Sequence, residues 1–107
     1  MARLPNIHPG EVLREEFMIP DGITSYRLAK EIGIPQSALG EILAGRRSVT
    51  AATALRLARY IGTEPEFWLN LQAAYDLEEE RERLAESLER IRPRNAPSAP
   101  EPVSAAA

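Results

Sequence analysis

From residue 8 to residue 77 the apolar side chains recur every three or four positions, and no stretch alternates as a half-buried strand would. The spacing predicts helices. After Thr24, a good N-cap, Leu28, Ala29 and Ile32 form one apolar stripe, and Gly33 is placed to stop the helix in a left-handed conformation. Pro35 then sits where a second helix begins, with Leu39, Ile42 and Leu43 as its stripe and Gly45 as its stop. Thr50 caps a third helix, on which Ala54, Leu57, Ala58 and Ile61 keep the i, i+3, i+4, i+7 pattern. On the N-terminal side, His8-Pro9-Gly10-Glu11 opens a helix carrying Val12, Leu13 and Phe17 that ends near Pro20-Asp21-Gly22, with His8 as a capping residue. On the C-terminal side, Thr63 and Glu66 have capping-box spacing, and Phe67, Trp68 and Leu71 begin a fifth helix. The expected fold is all-α.

The segment from Tyr75 to Arg92 is rich in Leu, Glu, Arg and Ala, with Glu79/Arg83 and Glu86/Arg90 at i, i+4. Ala74, Leu77, Leu84, Leu88 and Ile91 fall on one heptad seam, broken by Arg81. Such a seam either folds back on its own domain or binds a partner or second copy. Past Pro93 the Pro-, Ala- and Ser-rich tail is expected to be disordered. Three parts follow: a five-helix domain over 1–77, a charged amphipathic helix over 78–92 and a tail over 93–107.

Two short helices joined by the tight turn Gly33-Ile34-Pro35 read as a helix-turn-helix DNA-binding module. In the second of them Gln36, Ser37, Gly40 and Glu41 lie off the apolar stripe, free to enter a groove. Glutamine can pair with both N6 and N7 of adenine, and Arg46 and Arg47, following at once, are placed to neutralise phosphates. Ser25 and Tyr26, at the start of the first helix, complete a candidate DNA-binding set of Ser25, Tyr26, Gln36, Ser37, Glu41, Arg46 and Arg47. A single exposed glutamine or arginine pair is usually no more than solvated surface. The constellation carries the reading.

The net charge of −3 looks wrong for a DNA binder until the chain is divided. Residues 1–62 hold eight basic and six acidic side chains (+2), and residues 63–107 hold five basic and ten acidic ones (−5). The DNA-facing part is therefore mildly basic, non-specific affinity should be weak, and tight binding calls for dimerisation or good base contacts. With no cysteine there are no disulfides or thiolate metal sites, and one histidine cannot build a His-based metal cluster. No apolar run approaches the roughly 20 residues of a membrane span, and the start MARLPNIHPG lacks a secretory core, so a soluble cytoplasmic protein without cofactor is expected. Gly40 and Gly45 followed by two arginines only faintly echo a phosphate loop, which needs a preceding strand, a lysine and a magnesium-binding hydroxyl. Enzyme chemistry is not indicated.

The stretches HPGEVLREEFMIP, YRLAKEIGIP and GRRSVTAATALRLARYIGTEPEFWLNLQAAYDL together resemble the HigA-type antitoxins, a branch of the Xre-like helix-turn-helix regulators. The resemblance spans residues 8–77. It implies a homodimer that represses its own operon through a palindromic operator and neutralises a HigB-like toxin, typically a ribosome-associated RNA-cleaving protein, by binding it. Where such antitoxins commonly place polar or basic residues in the recognition helix, this chain has Ala38 and Gly40. A dimer contact is expected around Phe67, Leu71 and Tyr75, where apolar residues exceed what one small core needs. An orphan regulator without a toxin, and an interaction module without DNA binding, are the alternatives.

Overall fold

In a computed structural model, which describes residues 6–95, the chain is built from helices and their connections, with no strand among the described residues. The first helical rod has three consecutive parts: α1 (Pro9–Val12), a π-helical stretch (Leu13–Met18) and α2 (Ile19–Asp21). Then come α3 (Ser25–Ile32), α4 (Gln36–Leu43), α5 (Ala51–Ile61), α6 (Pro65–Arg83) and a short α7 (Ala85–Glu89). The expected helices are all present.

The π-helical stretch was not legible in the apolar pattern. The Arg14 carbonyl accepts from the Ile19 amide, five residues on, just before Pro20, which has no N–H to give. A five-residue bond brings positions five apart toward one face. Leu13 and Met18 are accordingly both buried, and Phe17 turns toward Phe67 and Trp68.

Leu13, Leu28, Leu39, Ile42, Leu57 and Trp68 are all but fully buried, and they come from five different segments of the chain. Each such side chain contributes about 1.5–3 kcal/mol relative to exposure, so the core depends on every helix being docked. α3 packs on α4 and α5, α5 packs on α6, and the first rod packs on both α4 and α6. The two helices of the expected motif are thus held from behind by α5 and the N-terminal rod.

Two details of α6 differ from expectation. Thr63 does not close a capping box with Glu66: Pro65, whose fixed φ suits the first helical position, makes Glu64 the N-cap, and the Thr63 hydroxyl accepts from Trp68 Nε1 at 2.8 Å. Arg83 pairs with Glu80 at 2.6 Å, not with Glu79, whose carboxylate accepts from Asn6 at 3.2 Å. α6 runs without interruption from Pro65 to Arg83 and stops at Leu84 (φ −101°, ψ 9°). Leu77, Leu88 and Ile91 remain 55%, 47% and 66% exposed, so the heptad seam does not fold back on this domain. Only residues 93–95 of the expected tail are among those described; 96–107 lie outside them.

Candidate nucleic-acid interface

Thr24 caps α3 as expected, its hydroxyl accepting from the Arg27 amide at 3.1 Å. Ser25 and Tyr26 form the first turn; Tyr26 is 62% exposed and Ser25 half-buried. The turn runs through Gly33 at φ 76°, and Arg56 of α5 donates from Nη1 to the Ile32 carbonyl at 2.7 Å, tying off the end of α3. α4 then begins at Gln36, behind Pro35. Gln36 and Ser37 project from its first turn into solvent, while Leu39 and Ile42 face the core.

The end of α4 is a Schellman turn. The Arg46 amide donates to Glu41 O at 2.8 Å and the Gly45 amide to Ile42 O at 3.0 Å, with Gly45 at φ 78° supplying the left-handed step. This turn delivers Arg46 and Arg47 to the surface, both exposed. Glu41 is not free: its carboxylate takes Arg47 Nη2 at 2.8 Å and Nε at 3.0 Å. Exposed pairs of this kind contribute about 0–1 kcal/mol, so a phosphate can replace the carboxylate at little cost.

Three residues lie beneath this loop, and for two of them, His8 and Gly10, periodicity gives no signal. Gly10 of α1 lies so close to α4 that an added Cβ would stand 1.9 Å from the Ile42 carbonyl oxygen. His8 caps α1 by accepting from the Gly10 amide at Nδ1 (2.9 Å), as expected, and its ring also lies under Gly45 and edge-on to Tyr75 at 4.8 Å. Gln72 of α6 is buried and accepts from the Val49 amide at 2.8 Å, while its own amide donates to Asp76 at 2.9 Å. Gln72 had one sequence signal: a polar residue four after Trp68, on the buried face of its helix.

Burial pushes the His8 imidazole below its ordinary value of 6.5, against the Asp76 carboxylate and a backbone hydrogen bond with Arg47, both of which raise it. With Nδ1 accepting from Gly10, the ring's donor is Nε2. Because the folded value is the lower one, the stabilisation by neutral His8 is complete above 6.5 and is lost as the pH falls through the folded value.

Phe67, Leu71 and Tyr75 are engaged within the protomer. Phe67 stands edge-on to Phe17 and Trp68 with 37% of its surface exposed, Leu71 packs on the core, and Tyr75 meets His8. Among the described residues no group of three His, Cys, Asp or Glu side chains could hold a metal ion, and no helix is long and apolar enough to cross a membrane.

A helix-turn-helix family model, HTH_3, matches residues 14–68, from the π-helical stretch through Trp68. Antitoxin HigA-1 of Vibrio cholerae is 40% identical over 84 residues, 78% of this chain and 79% of that protein. The chain belongs to the HigA family of helix-turn-helix antitoxins. Virulence-associated protein I of Dichelobacter nodosus is 50% identical over 74 residues, 69% of this chain and 68% of that one. The structure of Pseudomonas aeruginosa antitoxin HigA with the higBA promoter matches with a TM-score of 0.81 at 33% identity, covering 84% of this chain and 99% of that one. The family match includes α3 and α4, the two helices that carry the candidate residues.

Proposed function

We infer that this protein is a DNA-binding antitoxin that represses its own operon, reading the operator with the first turn of α4 and gripping the backbone with the loop that follows. The observation that carries this reading is the exposed first turn of Gln36 and Ser37 on a helix whose far end presents Arg46 and Arg47 on an anchored turn. The HigA structure from Pseudomonas aeruginosa with its promoter supports it, since that protein shares the fold over nearly its whole length. Gln36 would read adenine, and Ser37, Ser25, Tyr26 and, through Arg47, Glu41 would set the register. The protein would act in the cytoplasm, without cofactor or catalysis.

Operator binding of this kind uses two recognition helices about 34 Å apart, so the working unit is a homodimer. Its contact would lie around the exposed edge of Phe67, with Leu71 and Tyr75 behind it, extended by Leu77, Leu88 and Ile91. A HigB-like toxin is the second partner, bound directly. Co-expression with the reading frame adjacent to this gene tests that part: co-purification and rescue of growth are expected, whereas a neighbour that neither binds nor inhibits growth would leave an orphan repressor.

Two substitutions separate base reading from backbone contact. Gln36→Ala should cut discrimination at one base position by about 1–3 kcal/mol in competition binding, with the fold unchanged. Equal losses on operator and random DNA would instead place Gln36 on the backbone. Arg46→Ala and Arg47→Ala should weaken binding to every sequence and each lower the slope of log K against log salt by about 1. A slope that stays at the wild-type value would take that arginine out of the interface.

A further inference from the structure

Two polar side chains are buried among the described residues, His8 and Gln72, and both reach the loop that carries Arg46 and Arg47. His8 lies under Gly45 and bonds the backbone of Arg47, and Gln72 holds the Val49 amide at 2.8 Å. The loop is thereby fixed at its start, middle and end from two elements outside the helix-turn-helix, the N-terminus of α1 and the body of α6. A residue that served only to cap α1 would need none of this.

We propose that His8 is a positioning residue for the phosphate contacts, acting through the Gly45–Val49 loop, and that its protonation loosens the loop and releases DNA. The inference rests on the DNA-binding reading above. Neutral His8 accepts from Gly10 at Nδ1. Protonation puts the ring's second N–H on that nitrogen, so two donors face each other at a contact where α1 touches the Ile42 carbonyl of α4. The groups around the ring are few. Asp76 and Tyr75 face it from α6, the Gly10 amide from α1 and the Arg47 backbone from the loop, while the Arg47 guanidinium is paired with Glu41. Asp76 is already held by Gln72 Nε2, so a charged His8 drawn toward Asp76 competes with the bond that steadies the Gln72 amide, whose oxygen anchors Val49.

The sign of the effect separates this device from general electrostatics. Acidification ordinarily tightens DNA binding, because the protein gains positive charge. Release through His8 runs the other way. The test is binding of the full chain to a labelled duplex of its own promoter, at pH 7.5 and pH 5.5 and over a series of salt concentrations, beside His8→Asn. Asparagine is a good N-cap that accepts from the Gly10 amide and does not titrate. Wild type should lose affinity on acidification, by less than about tenfold because the ring's value lies below 6.5, and its salt slope should fall by about 1. His8→Asn should hold or gain affinity over the same range. In the free protein, the amide resonances of Arg47 and Val49 should titrate together with the His8 ring. Tight binding at pH 7.5 with the same pH response in both proteins would overturn the proposal and leave the DNA-binding reading intact. Absence of promoter binding at pH 7.5 would sink both, and loop amides that ignore the His8 titration would sink the proposal even then.

Discussion

Trp68→Ala is expected to cost about 3–5 kcal/mol, the range for truncating a large buried aromatic. Trp68 is 0% exposed, packs at 5.5 Å from Phe17 and 4.9 Å from Phe67, and donates its indole N–H to Thr63. Removing it opens a void between α6 and the N-terminal rod and leaves Phe17 with Phe67 as its remaining aromatic partner among the described residues. Domains of this size are stable by only about 5–15 kcal/mol, so the variant should melt more than about 10 °C below wild type or lose its cooperative transition. A soluble variant with an unchanged melting temperature would show that the rod is not held through this residue. Trp68→Phe, which keeps most of the volume and loses the bond to Thr63, should fall between the two.

Gly10→Ala is the second large effect, and it acts on the DNA site as well as on stability. A methyl group here would stand 1.9 Å from a backbone carbonyl oxygen, which cannot turn aside as a side chain can. Either α1 lifts from α4 or α4 shifts in its seat. Overpacking of this kind costs about 1–3 kcal/mol, and here it falls on the joint that seats the end of the recognition helix. Promoter affinity should therefore drop more than the loss of stability alone would give, measured well below the melting temperature. Gly40→Ala is the control, since a Cβ there meets nothing within 4 Å; it should keep the fold and gain a few tenths to about 1 kcal/mol of stability.

These two positions show what the sequence could and could not reveal. Trp68 was legible as core because it lies in a helical apolar stripe beside Phe67 and Leu71, and periodicity reports burial directly. Thr24, Gly33, Gly45 and Thr50 were legible for a different reason: caps and left-handed stops are local, decided by residues within one turn. Gly10 was not, because the carbonyl it approaches is thirty-two residues away in sequence and nothing local distinguishes a close-packed glycine from a flexible one. The same limit hid the link from Gln72 to Val49. The assignment of Thr63 failed on local competition, since Pro65 fixes the helix start one residue later and the hydroxyl is then taken by the Trp68 indole. The π-helical turn was invisible to a search for 3.6-residue spacing because its buried pair, Leu13 and Met18, stands five apart.

The candidate site divides along the same line. Gln36, Ser37, Arg46 and Arg47 stand exposed on the elements where the pattern put them. What the pattern could not supply was the support beneath them, which comes from α1 and α6, on either side of the helix-turn-helix in sequence. On the proposed reading, the two departures within the recognition helix, Ala38 and Gly40, would leave much of the grip on DNA to the arginine loop, and hence to His8, Gly10 and Gln72.

The account stands or falls on whether this loop and the first turn of α4 hold DNA. Fluorescence anisotropy of a labelled duplex from the region upstream of the gene, titrated with the full chain at several salt concentrations, measures it most directly. Saturation at two protomers per duplex is expected, with affinity that falls as salt rises, a slope lowered by about 1 in Arg46→Ala, and a preference for this duplex over a scrambled one of the same length. Equal affinity for the scrambled duplex, or no binding at low salt, would contradict it.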